Sequence, residues 1–173
     1  DFIESEEVRK KSWERSNDTK NKFQKVEPNI GHKAIANIMK KNPNSHLITQ
    51  NVDNLHQKSG VPDNQITELH GNSTYAKCLE CEVRYELAPI YKAFSEKGKI
   101  PFCDECGGIV KTATISFGQP MPEEEMRIAQ AKTVLCDLFI TVGTSLVVFP
   151  AAGFPQLAKE IGAKLIIINN EPT

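Results

Sequence analysis

Four of the five cysteines fall in two C-x-x-C pairs, Cys78-Leu79-Glu80-Cys81 and Cys103-Asp104-Glu105-Cys106, with 21 residues between them. Nothing else in the chain limits its fold as strongly. Two residues between thiolates let one tight turn aim both sulfurs at neighbouring corners of a tetrahedron, and two such turns close a four-sulfur site. The spacing is close to that of a zinc ribbon. A site filled by four thiolates leaves no position for water, so this zinc is expected to hold structure and to do no chemistry. A redox pair would open a helix in a thioredoxin-like setting, which two matched pairs do not suggest. The fifth cysteine, Cys136, sits near Leu135 and Leu138 and is expected to be a small buried hydrophobe. An odd count, and a start (Asp1-Phe2-Ile3-Glu4) without a basic stretch and apolar run, argue against a secreted disulfide framework. An intracellular, reducing compartment is expected, with cytoplasm, nucleus and mitochondrion not distinguished.

Charge narrows the partners. With 21 basic against 22 acidic residues the formal net charge is −1, so there is no basic excess of the kind a nucleic-acid binder shows. The early cluster Arg9, Lys10, Lys11, Arg15, Lys20, Lys22 and Lys25 is interleaved with acids and reads as a solvated helical face. Leu138 to Ala158 carries no charge and is long enough to raise the question of a membrane span. Gly143, Thr144, Ser145, Pro150, Gly153 and Pro155 answer it: these fit a buried strand, a turn and a helix, not a segment in lipid. No membrane partner is expected, and the oligomeric state is left open.

The chain divides into four stretches. Residues 1–30 are polar, with Val8, Trp13 and Phe23 as sparse apolar positions, and read as a helical segment that needs a partner surface. Residues 31–71 open the main domain: a helix from Ile30 to Lys41 capped by Asn29, a short strand at His46–Thr49, and a helix from Asn54 to Ser59 closed by Gly60. Residues 72–113 form the cysteine module. Residues 114–173 complete the main domain with an acidic-started helix, Glu123 to Lys132, then the apolar runs Leu138–Val142 and Leu165–Ile168 joined by a helix from about Ala151 to Ile161. Unalternated apolar runs joined by a helix mark a parallel sheet covered on both faces. The fold class is therefore α/β, with a Rossmann-like parallel sheet, a small zinc-ribbon module and a helical segment.

Ligands of parallel sheets bind beyond the carboxyl ends of strands. Thr141-Val142-Gly143-Thr144-Ser145 occupies such an end: Gly143 lets a phosphate or ribose approach the backbone, and Thr144 and Ser145 offer hydroxyls and amides. Many strands end in small residues, so this motif alone is weak. Asn169-Asn170-Glu171 ends the next strand and suits ribose hydroxyls, although a plain turn or cap fits the local sequence equally well. No G-x-G-x-x-G occurs, which disfavours a conventional Rossmann dehydrogenase. Thr49-Gln50-Asn51-Val52-Asp53-Asn54-Leu55-His56 is a dense polar run directly after a strand, and Glu68-Leu69-His70-Gly71 sets a histidine just before the first cysteine pair. A lone histidine is more often a hydrogen-bonding residue than a catalyst.

The order of these motifs is more telling than any one of them. TQNVDNLH, ELHG, two C-x-x-C pairs, Ser116-Phe117-Gly118, GTS and N-x-E, in succession over residues 28–173, resemble the sirtuin family of NAD-dependent protein lysine deacylases. The resemblance implies His70 as catalytic base, with Asn51 beside it. It implies Gln50, Asn51 and Asp53 around nicotinamide and its ribose, Gly143, Thr144 and Ser145 against the nucleotide, and Asn169 and Glu171 on the adenosine ribose. Ile115, Phe117 and Gly118 would pair with substrate backbone around the acyl-lysine, and Cys78, Cys81, Cys103 and Cys106 would ligate zinc. NAD is then a co-substrate: the acyl-lysine carbonyl oxygen displaces nicotinamide, a base helps a ribose hydroxyl attack the imidate, and O-acyl-ADP-ribose leaves. Acylated lysines on proteins are the implied partners. The resemblance begins downstream of the family's first strand and its G-A-G-x-S loop, so the sheet is expected to be incomplete on its N-terminal side. Lys111-Thr112 stands where a basic-proline pair is common, and Gln119 where glutamate is frequent. Two rivals share parts of this site: a mono-ADP-ribosyltransferase, and a zinc or ADP-ribose-binding interaction module without turnover.

Overall fold

The computed structural model describes residues 2–173; the side chains of residues 21–24, among them Lys22 and Phe23, lie outside the described part. The long N-terminal helix α1 (Glu6–Gln24) starts where Ser5 Oγ accepts the amide of Val8 at 3.3 Å and Glu6 and Glu7 favour the positive end of the helix dipole. On this helix Trp13 is deeply buried, 2% exposed. Helix α2 (Ile30–Lys41) begins under the Asn29 cap, whose Oδ1 accepts the His32 amide at 3.1 Å, and ends in Lys40-Lys41.

Strand β1 (Leu47–Thr49) then leads through residues 50–54 into the short helix α3 (Leu55–Lys58), which Gly60 closes with φ +99°. After a 3-10 turn at Asp63–Gln65, β2 (Ile66–Glu68) pairs with β1 in parallel. Leu47, Ile66, Ile35, Ala36, Met39 and Val61 pack together beneath this pair.

Strand β3 (Gly71–Cys78) is separated from β2 by two residues, Leu69 and His70, and belongs to a different sheet. It lies between β4 (Arg84–Glu86) and β5 (Val110–Thr114), antiparallel to both. Helix α4 (Leu87–Lys97) covers this sheet. Trp13 meets Tyr91 of α4 edge-on at 6.3 Å, and Ser16 Oγ lies 2.7 Å from Tyr91 Oη. The N-terminal helix thus finds its partner surface in the cysteine module: Trp13, Ala76, Cys78, Leu87, Tyr91, Phe94, Ile100, Cys103 and Val110 form one core.

Helix α5 (Glu123–Val134), β6 (Leu138–Val142), α6 (Gly153–Glu160) and β7 (Lys164–Ile168) complete the chain, with β6 and β7 parallel. Ala129 and Phe154 from the helices bury Phe139 on one face of the β6–β7 pair, and Leu69 joins them from the segment after β2. The other face corrects the expectation of a sheet covered on both sides. Leu138, Ile140, Val142, Ile166 and Ile168 are each 42–55% exposed, because α5 and α6 both lie opposite them and no other described element covers them. Cys136 is half-buried rather than buried. No helix among the described residues is long and apolar enough to cross a membrane.

Candidate active site and metal centre

The metal centre is the better-determined of the two sites. Sulfur–sulfur separations are 3.5 Å for Cys78–Cys106, 3.6 Å for Cys81–Cys103 and 3.5 Å for Cys81–Cys106, and all four sulfurs lie within 4.8 Å of one another. Zinc–sulfur bonds of about 2.3 Å give a tetrahedral edge of about 3.8 Å. The thiols are free, not bridged. Each pair is shaped by amide-to-sulfur contacts: Glu80 N to Cys78 Sγ and Gly108 N to Cys106 Sγ, both 3.4 Å. Position 108 must be glycine, since a Cβ there would stand 2.9 Å from Cys78 Sγ. Tyr85 Oη donates to Cys103 Sγ at 3.1 Å and accepts the Asp104 amide at 3.0 Å, pulling the Cys103 thiol well below its ordinary range. Cys106, crowded by the other sulfurs, is pushed up to about 12. One thiolate suppresses its neighbours until a cation ionises all four. The donors fit zinc, and Cys78, Cys81, Cys103 and Cys106 would hold it.

The second site gathers where β1, β3, β5 and β6 meet. His70 follows β2, and its Nδ1 lies 3.0 Å from the backbone oxygen of Gln50, just past β1. A carbonyl only accepts, so Nδ1 carries the proton and, in the neutral ring, Nε2 is the acceptor. The His70 carbonyl accepts the Ile115 amide at 2.9 Å, which ties the end of β5 to the histidine. Gln50 Nε2 reaches Thr144 Oγ1 at 3.5 Å, joining the ends of β1 and β6. Gly143, φ +62°, donates its amide to Ile168 O at 2.9 Å, so the GTS turn adjoins the end of β7.

Asn51 is exposed at the mouth of this junction and donates its amide to Thr49 Oγ1 at 3.1 Å. Asp53 Oδ1 accepts the Leu55 amide at 3.0 Å and starts α3. Gln50, Asn51, Asp53, His70, Thr144 and Ile115 are therefore tied into one region. Ser145 and Gly118 are exposed nearby in sequence, while Phe117 stands fully in solvent. Asn169 and Glu171 lie beyond β7, where Asn169 Nδ2 donates to Glu171 O at 2.8 Å; both are exposed. Sequence reasoning passed over Asn72, Ser73 and Gln57, which hydrogen-bond around the 50–54 loop, and Tyr85 at the metal centre. Only the quoted ELHG run hinted at the first group, through Glu68.

The chain is similar to proteins of one family over most of its length. The family model described as Sir2 family matches residues 1–150. An NAD-dependent protein deacetylase of Rhodopseudomonas palustris is 49% identical over all 173 residues, which cover 68% of that relative. NAD-dependent protein deacetylase 1 of Bradyrhizobium diazoefficiens is 50% identical over 172 residues, 99% of this chain and 67% of the relative. Among solved structures, Sir2Tm bound to a propionylated peptide superposes with a TM-score of 0.85 at 30% identity, covering 95% of this chain and 68% of that one. A Sir2 complex with p53 peptide and NAD+ gives a TM-score of 0.79 at 33% identity, over 87% of this chain and 62% of that one. With the family model matched over residues 1–150 and relatives about half identical along its whole length, this chain belongs to the Sir2 family.

Proposed function

We propose that the chain carries the site of an NAD-dependent protein lysine deacylase, with His70 as the base that completes acyl transfer. The observation that carries this reading is the Nδ1 contact of His70 with Gln50 O at 3.0 Å. It fixes the tautomer in which Nε2 is the acceptor, as a general base near neutral pH requires.

Bound NAD would supply a ribose carbon for attack by the acyl-lysine carbonyl oxygen, with nicotinamide as the leaving group. His70 Nε2 would then take the proton of a ribose hydroxyl as that hydroxyl oxygen adds to the acyl carbon, and water would complete the transfer as the lysine amine leaves. Asn51, exposed beside it, orients ribose or water without titrating, and Asp53 accepts from the nicotinamide carboxamide. Gly143, Thr144 and Ser145 line the nucleotide from the end of β6, and Asn169 and Glu171 the adenosine ribose from the end of β7. Ile115, Phe117 and Gly118 pair with the backbone around the acylated lysine. The exposure of Phe117 suits a residue that meets a partner chain. Zinc, held by the four cysteines, would tie the end of β3 to the turn that leads into β5. Four free thiols in one site suit an intracellular, reducing location. The near-zero net charge gives no reason to add nucleic acid as a partner.

Incubation with NAD and an acetyl-lysine peptide tests the reading by mass spectrometry. Nicotinamide and O-acetyl-ADP-ribose formed together, and only with acylated peptide, are the expected result. Labelled ADP-ribose appearing on protein instead would replace it with the transferase reading.

A further inference from the structure

The loop at residues 50–54 carries Gln50, Asn51 and Asp53 yet has almost no regular structure of its own. Three neighbouring residues hold it. His70 bonds Gln50 O, Ser73 N and Oγ donate to Val52 O at 2.8 and 2.7 Å, and Asn72 Nδ2 donates to Asn54 Oδ1 at 3.1 Å. Asn72 is 3% exposed and fully engaged: its Nδ2 also donates to Glu68 Oε1 at 2.8 Å, and its Oδ1 accepts Thr74 N and Oγ1 at 2.8 and 2.7 Å. Gln57 Nε2 donates to the same Glu68 oxygen at 2.8 Å. Asn54 sits at φ +63°, a conformation that an asparagine adopts when its side chain is anchored.

From this network we infer that Glu68 and Asn72 are positioning residues for the reaction: Glu68 orients the Asn72 amide, and Asn72 holds the Asn51–Asp53 loop at a fixed height against His70. The inference rests on the deacylase reading for its chemistry but not for its geometry. Neither side chain need touch substrate. A carboxylate only accepts, so Glu68 dictates that Asn72 presents Nδ2 to it and Oδ1 to Thr74. Burial raises the Glu68 carboxyl above the usual carboxylate range, against the hydrogen bonds from Gln57 and Asn72. Such a group costs the fold stability as pH rises through its folded pKa. A buried carboxyl kept at that cost, with Gln57 and Asn72 both aimed at one of its oxygens, points to function.

The polarity can be inverted as a whole. Asn72→Asp places oxygen against Glu68 Oε1 and Asn54 Oδ1, both acceptors. Adding Glu68→Gln restores a donor, and the Gln57 and Asn54 amides turn over to match. The test compares wild type, N72D and E68Q/N72D by hydrogen exchange of residues 50–55, with residues 78–112 as internal reference, and by the KM and kcat of nicotinamide release. N72D is expected to speed exchange of the loop about tenfold or more and to lower kcat/KM by a similar factor, and, as a buried unpaired charge, to lower the melting temperature as well. The double variant is expected to recover both to within about threefold. Should N72D not fold, Asn72→Ala removes the side-chain donors without adding charge and is expected to give the same loss. Unchanged loop exchange in the single variant, or no recovery in the double, overturns the inference. A wild-type chain that releases no nicotinamide sinks the deacylase reading alone, because the exchange comparison still decides this one.

Discussion

Gly71 has no room for a side chain. A Cβ there would overlap Ala113 O across the β3–β5 ladder, and its φ of +74° is strained for any other residue. Gly71→Ala is expected to cost at least ~2 kcal/mol of unfolding free energy in denaturant titration, and to shift Ile115 away from His70. The sequence pointed to the glycine through its place beside a histidine, but its reason lies in β5, some forty residues on. His70 itself shows the same division. Its residue type and its place before the cysteine pairs were readable. Its tautomer was not, because the carbonyl that sets it belongs to Gln50, across the sheet junction. Glu68 and Asn72 were harder still, since each looks like an ordinary polar residue until their shared contacts are seen.

Among the elements, those with strong local signals were legible. Asn29 capping α2, Gly60 closing α3, the acidic start of α5 and the apolar runs of β6 and β7 all match the structure within a few residues. Strands β2, β3, β4 and β5 and helix α4 were not read, because β3 and β4 alternate polar residues with few apolar ones and take their form from pairing. Helix α1 is the extreme case: its partner is α4, and Trp13 anchors it. Trp13→Ala is expected to destabilise by about 3–5 kcal/mol, measured by urea unfolding of the zinc-loaded protein. The contact of α2 with α3 places His32 and His56 rings 4.9 Å apart, and burial, then His32, hold His56 below its ordinary pKa. Burial, then Lys132, does the same for His46. For a histidine lowered in the fold, the unfolded chain takes up protons first. Stability should therefore be full above an unfolded pKa of about 6.5 and fall as pH drops below it. The urea midpoint is expected to decline between pH 7.5 and 5.5, and less steeply in His56→Gln; an identical slope would contradict the assignment.

At the level of the whole molecule, one metal centre organises two functions of the fold. Cys78 and Cys103 belong to the core that also seats Trp13, so removing zinc should loosen α1 together with the antiparallel sheet. Trp13 is the single tryptophan, so a chelator is expected to red-shift its fluorescence and re-added zinc to reverse the shift. The cysteine spacing made the module legible before any coordinates. The division of the described strands into three sheets was not, since β2 and β3 are close in sequence yet join different sheets. The convergence of β1, β3, β5 and β6 on His70 is the claim from which the chemistry follows. The most direct measurement of it is acyl transfer in His70→Ala, followed as O-acetyl-ADP-ribose formed per nicotinamide released. Loss of a general base predicts a fall of about a hundredfold or more in that product, in a variant that still folds and binds zinc. Formation of O-acetyl-ADP-ribose at the wild-type rate without the imidazole would contradict it.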